Sequence, residues 1–185
     1  MPVHVDETLP LHPLSVSDVM GMVDAGILDE DDHVELLDGV LVEMLPLQPP
    51  HAYAIRRLAA IAFPVADAAG LELSIQAPLD IGSRFSLPEP DLAIAPPAGR
   101  HKHPRSAVLV VETGATSLRI DLVRKARIYA TGGVPEYWVL DVNRRALIVH
   151  REPVDGCYTD IRTLDEHETV TAVAVDLTVP VASLL

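Results

Sequence analysis

The chain carries a single cysteine, Cys157, so no disulfide can close within it. It has no apolar run that could span a bilayer. The longest, near Leu58–Ala66, is interrupted by Pro64 and ended by Asp67, well short of the ~18–20 residues a span needs. The opening Met1-Pro2-Val3-His4-Val5-Asp6-Glu7 has neither the basic nor the apolar region of an export signal. One unpaired thiol and no export signal fit a reducing compartment, so the expected location is the cytoplasm. Residues 1–50 contain no lysine or arginine. Internal repeats and low-complexity segments are also missing. These absences argue against a disulfide scaffold, a helical membrane protein and a repeat array.

What is present is enough apolar material, 49% of 185 residues, to fill one core. The simplest organisation is an irregular arm over 1–13 and a single domain over 14–185. The formal net charge is −13, and it is unevenly placed. Residues 84–151 hold 11 Lys or Arg against 6 Asp or Glu, and the remainder holds 3 against 21. The middle of the chain is therefore basic and both ends are acidic.

The pattern predicts alternating elements. Ser15 or Ser17 caps a short helix that Gly26 ends. Val34–Met44 reads as a hairpin about Asp38-Gly39, with Glu35 on its first arm. Pro49-Pro50 starts a helix on which His51, Ile55, Leu58 and Ala62 share a face, and Pro64 should end or kink it. Leu71–Ile81 reads as a strand, and Leu92–Ala95 as another, preceded by Pro90-Asp91. Pro96–Arg105 is a loop with His101, Lys102, His103 and Arg105. Two histidines there are too few for a zinc site. Ala107–Thr113 is a continuously apolar strand, buried on both faces, that contains Glu112. Ser117–Thr131 is a helix. Its inward stripe is Leu118, Leu122 and Tyr129, with Lys125 only ~20° from Leu118 and Asp121 ~60° away at 100° per residue. Further strands follow at Tyr137–Asp141, Ala146–His150 and Cys157–Thr163, and the tail over Val170–Leu185 adds a strand and a helical turn. The fold class is α/β, a mixed twisted sheet flanked by helices.

The chemistry concentrates in Pro90–Lys125. Asp91 and Glu112 stand on neighbouring strands, with Lys125 on the next helix. Hard cations take oxygen ligands, usually one or two carboxylates plus waters. Two acids and a lysine at strand ends suit a divalent cation held against a phosphodiester. Glu112 carries most weight, because a carboxylate inside Val108-Leu109-Val110-Val111-Glu112 needs a partner to be tolerated. A backbone carbonyl, that of Thr113, is a candidate third ligand. Tyr129 reads as packing, and Tyr137-Trp138 as core with a subunit contact. Pairing with Asp121 at i, i+4 is the structural alternative for Lys125.

This constellation resembles the PD-(D/E)xK nuclease superfamily, with its restriction-endonuclease-like fold, and more specifically the bacterial Uma-two family of small endonucleases. The resemblance rests on Glu35-Leu36-Leu37-Asp38-Gly39, His51 at a helix start, Pro90-Asp91, Val110-Val111-Glu112-Thr113, Asp121 with Lys125 and Tyr129, and Gly133-Val134-Pro135-Glu136-Tyr137-Trp138-Val139-Leu140-Asp141. It implies an endonuclease that hydrolyses DNA with Mg²⁺ or Mn²⁺. Asp91 and Glu112 would be the metal ligands, Lys125 would assist, Glu35 would be the early acidic residue, and His51 would position water or substrate. It also implies a homodimer. The superfamily lysine stands two residues after the glutamate, where this chain has Gly114, and Lys125 is the substitute. Two rivals remain. One is a catalytically inactive nuclease-fold module for binding or regulation, which the net acidity favours. The other is a dimeric structural protein built on the Tyr137-Trp138 strand.

Overall fold

A computed structural model describes residues 11–114 and 118–185. Residues 1–10 of the expected arm and Ser117 of the expected helix lie outside the described residues. Helix α1, Val16–Asp24, is capped by Ser15, whose Oγ accepts from the Asp18 N–H while the Asp18 carboxylate accepts from the Ser15 N–H. This reciprocal pair satisfies two otherwise orphaned donors. Strands β1, Val34–Leu37, and β2, Val40–Glu43, form the expected antiparallel hairpin. Its turn residues Asp38 and Gly39 both adopt positive φ, 52° and 79°. Pro13 packs directly against Gly39, so no side chain could be accommodated there.

Helix α2, Pro49–Ala68, runs unbroken through Pro64. The expectation of an end or kink there fails for a physical reason. Pro64 and Ala60 both face solvent, so the carbonyl that loses its N–H partner can be hydrated. The apolar positions Ile55, Leu58 and Ala62 are buried as their spacing requires.

A six-stranded sheet in the order β3-β4-β5-β6-β7-β8 forms the centre. Its members are β3, Glu72–Ile75; β4, Leu92–Ala95; β5, Leu109–Gly114; β6, Glu136–Asp141; β7, Ala146–Val154; and β8, Cys157–Asp165. The β5–β6 pair is parallel and the others are antiparallel, so the sheet is mixed. The crossover from β5 to β6 holds a π-helical segment, Ile120–Lys125, and helix α3, Ala126–Thr131. The expected long strand over 71–81 shortens to β3, because Gln76 turns the backbone to φ 46°. The tail supplies a small antiparallel pair, β9 at Thr169–Thr171 and β10 at Thr178–Pro180, then a 3₁₀ turn over Val181–Leu184. Among the described residues no helix is long and apolar enough to cross a membrane.

Strand side chains alternate between two cores, as a period of two demands. Leu92, Ile94, Leu109, Val111, Trp138 and Leu140 face α2 and the tail. Ala93, Ala95, Val110, Tyr137 and Val139 face α3. Parity assigns Glu112 to the α3 side, with Val110. Asp91 lies one step before β4 and turns its carboxylate to Thr113 and to His51 of α2. Tyr137 and Trp138 are both fully buried within a strand interior to the sheet. The expected subunit contact through that pair has no exposed surface to use.

Candidate active site

In the antiparallel register of β4 and β5, Leu92 lies opposite Val111. The residue before one therefore meets the residue after the other, which brings Asp91 beside Glu112 and Thr113. Asp91 Oδ2 accepts the Thr113 N–H at 2.7 Å and the Thr113 hydroxyl at 2.8 Å. It also lies 3.0 Å from His51 Nε2, supplied by the first turn of α2. Thr113 was expected to offer only a carbonyl, and it enters the site through its donors. Burial pushes the Asp91 pKa up, but the hydrogen bonds from His51 and Thr113 outweigh it and leave the carboxyl below the ordinary range.

Glu112 is buried. Its Oε1 accepts from the Lys125 ammonium at 3.0 Å and from the Tyr129 hydroxyl at 2.9 Å. Tyr129 is thus more than packing: its hydroxyl addresses the central carboxylate. The signal available in the sequence was its place four residues after Lys125 on one helical stripe. Burial drives the Glu112 pKa upward and the charges of Asp91, Asp121 and Glu35 push the same way, against the pull of Lys125.

Lys125 Nζ lies 3.0 Å from Glu35 Oε1 as well as 3.0 Å from Glu112 Oε1. Its ion pairs run to these two acids rather than to Asp121, one turn away. Lys125 is 5% exposed. Burial alone would strip its proton, but Glu112, Glu35 and Asp121 reverse that and hold its pKa above the ordinary lysine value. The ammonium is therefore permanent at neutral pH. The π-helical winding around Lys125 departs from the α-helix its periodicity suggests, and such segments recur at functional sites.

Two contacts hold the hairpin to the helix. Arg127 donates to Asp38 at 2.6 Å, and Arg124 lies 3.6 Å from the same carboxylate. They dock the turn of the hairpin that carries Glu35 against the helix that carries Lys125. Glu35 Oε2 accepts the Glu89 N–H at 3.1 Å. Glu89 was not singled out in the sequence. Its half-buried carboxyl sits beside Glu35, and burial and that neighbour both push its pKa up.

Gly114, where the superfamily lysine would stand, is tightly packed, so a side chain there needs its neighbours to give way. A Cβ built there would lie 3.1 Å from Asp121 Oδ2 and 3.1 Å from Leu118 Cδ1. The amine reaches Glu112 from the helix instead. The His101–Arg105 loop stays at the periphery, with Arg105 paired to Asp80 at 3.3 Å.

The donor set is made of hard oxygens. Asp91 Oδ1 and Glu112 Oε2 accept no hydrogen bond among the described residues. No group of three or more His, Cys, Asp or Glu is arranged to hold a metal among the described residues. Two carboxylates completed by water remain the ordinary arrangement for Mg²⁺. The acids also outnumber the single ammonium, so the cluster has a local need for positive charge. The donor chemistry, hard carboxylate oxygens with excess negative charge, is of the kind a divalent cation takes.

Comparison with known proteins agrees with this architecture. The model of the family described as "Uma2: Putative restriction endonuclease" matches residues 24–182. No curated protein matches the chain. Among solved structures, the chain is similar to a putative nuclease of the DUF820 group from Anabaena variabilis. The TM-score is 0.75 and the identity 11%, over 93% of this chain and 97% of that one. At that identity the likeness speaks to the fold alone.

Proposed function

Since the chain belongs to the Uma2 family of restriction-endonuclease-like proteins, we propose that it is an endonuclease that hydrolyses DNA phosphodiester bonds with Mg²⁺ or Mn²⁺. The observation that carries the proposal is the buried ammonium of Lys125 between Glu35 and Glu112, beside the Asp91–Thr113 junction. Asp91 and Glu112 would hold the cation through their free oxygens. When bound, it supplies charge neutralisation at the scissile phosphate and acidifies a coordinated water.

The remaining roles belong to the chain itself. Lys125 lies between the carboxylates of Glu112 and Glu35. It acts as a fixed positive charge and donor toward a phosphate oxygen, and it holds Glu112 in place. His51 orients Asp91 through Nε2. Thr113 does the same from the opposite side, with two donors. Glu35 keeps Lys125 charged and aimed, and Tyr129 fixes the rotamer of Glu112. Glu89, half exposed at the margin, is suited to exchange protons with solvent.

Net charge of −13 does not block DNA binding, because the site is drawn from the basic middle of the chain. The direct test is incubation of purified protein with supercoiled and linear DNA in magnesium, manganese or chelator. Cleavage in either metal that chelator and Asp91→Asn abolish supports the proposal. Intact DNA in both metals, with no heat of metal binding, would leave a nuclease fold used for something else.

A further inference from the structure

A pocket of about 260 Å³ opens beside the site, lined by Pro50, Tyr53, Val142, Arg145 and Leu185. Two contacts locate it. Pro50 precedes His51, which reaches Asp91. The Val142 N–H donates to the carbonyl of Gly114 at 3.3 Å. Gly114 is two residues beyond Glu112 on the same strand, about 7 Å at the strand rise, or roughly two base steps at the ~3.4 Å rise of one DNA strand.

The lining has a consistent chemistry. Tyr53 is 44% exposed although aromatic, and none of the described residues covers it. Arg57, one helical turn on, donates to the carbonyl of Ser183, close to Leu185. Arg56 shares this helical face at i+3 from Tyr53. Across the pocket the β6–β7 turn presents Arg144 and Arg145, 81% and 52% exposed. Arg145 holds a backbone φ of 54°, a conformation rarely kept by a residue other than glycine, asparagine or aspartate. Outside residues 84–151 the chain has only three basic residues, and two of them, Arg56 and Arg57, stand here. An exposed aromatic ring with arginines at its margin, of which Arg145 also pairs with Glu166 and Arg57 donates to Ser183, is a composition that stacks a base and tracks a phosphate backbone. The cavity is smaller than the ~300–1,000 Å³ of sites for a whole drug-sized ligand. It suits one planar ring.

We infer that this pocket receives a single nucleobase, stacked on Tyr53, from the strand whose phosphate lies at the Asp91–Glu112 site. A base inside a duplex cannot enter it, so the favoured substrate is single-stranded or locally unpaired DNA. The inference rests on the nuclease reading for what happens to that strand. It does not rest on it for the binding itself.

The test uses the whole chain and two oligonucleotides, a short single strand carrying 2-aminopurine and its blunt duplex. Binding is measured by anisotropy in chelator, and stacking by 2-aminopurine emission. Cleavage is read separately in magnesium. Wild type should bind the single strand more tightly and quench the probe. Tyr53→Ala should weaken single-strand binding about tenfold and abolish the quench, with duplex binding unchanged. Tyr53→Phe should retain both, and circular dichroism checks that the fold is intact. If Tyr53→Ala matches wild type on the single strand while cleavage persists, the pocket assignment is overturned and the nuclease reading stands. If wild type cleaves nothing but the Tyr53 dependence holds, the reverse is true. If wild type binds neither oligonucleotide, both fall.

Discussion

Lys125 Nζ donates to Glu112 Oε1 at 3.0 Å across thirteen positions of sequence, and both groups are buried. The contact exists because a strand interior to the sheet and the helix that follows it pack face to face. With Glu35 on the other side of the amine, one positive charge is shared by two carboxylates. Replacing Lys125 by Met should therefore leave two buried acids uncompensated. The expected cost is about 3–5 kcal/mol in urea unfolding, together with loss of hydrolysis. Removing one of the two acids with Glu35→Gln in the same chain should recover part of the stability and none of the activity. A change below about 1 kcal/mol for Lys125→Met would mean that the triad is not a stabilising unit.

Asp91 separates metal binding from folding. Its Oδ2 already serves Thr113 and His51, and an asparagine can keep the Thr113 contacts through its amide oxygen. Asp91→Asn should fold and melt within about 1–2 kcal/mol of wild type. Isothermal calorimetry should show magnesium binding lost, and cleavage should fall at least about a hundredfold. Unchanged heats of magnesium binding would remove Asp91 from the ligand set.

Gly114 tests why the lysine moved. Gly114→Ala forces a Cβ toward Asp121 and Leu118, and overpacking of that kind costs about 1–3 kcal/mol. Moving the amine back with Gly114→Lys in a Lys125→Met background should not rescue activity, since Asp121 and Leu118 crowd the strand position. Measurable cleavage by that double variant would show that the site tolerates either origin for the amine.

His150 should make stability depend on pH. Its Nδ1 is buried with no hydrogen-bond partner among the described residues, and its ring lies beside those of Tyr137 and Tyr158. Burial lowers its pKa, partly offset by the backbone of Tyr137. Between the lowered folded value and the unfolded value of ~6.5, the unfolded chain binds the extra proton. The contribution of neutral His150 is complete above ~6.5 and is lost as pH falls through the folded value. Urea midpoints of wild type and His150→Phe, compared from about pH 7.5 down to 5, should diverge, with the variant less sensitive to acid. Parallel curves would contradict the buried neutral histidine.

Period-two alternation, turn chemistry and helix caps are local, and the sequence carried them openly. Ser15, Asp38-Gly39, the inward stripe of α2 and the buried character of β5 all follow from neighbours within a few positions. The family resemblance, too, lay in short motifs. Asp91, Glu112 and Lys125 could be named because an acid amid apolar strand residues, or a lysine on a buried stripe, is locally out of place. The hydroxyl of Tyr129 and the donors of Thr113 did not stand out, because a tyrosine on an apolar stripe and a threonine in a strand are locally in place. Only their partners reveal what they do. Pro64 was misjudged in the opposite sense, since its cost depends on which way the helix faces.

The sequence by itself determined which residues are buried, on which faces they lie and where the chain turns, because these are set by side-chain chemistry over a few residues. The tertiary structure alone decided that Glu35 shares Lys125 with Glu112, that Asp91 sits against Thr113 and His51, and that Asp121 and Leu118 crowd position 114. Those contacts join segments up to ninety residues apart, Glu35 to Lys125 being the longest. Their geometry depends on strand register and helix winding, which no window of sequence contains.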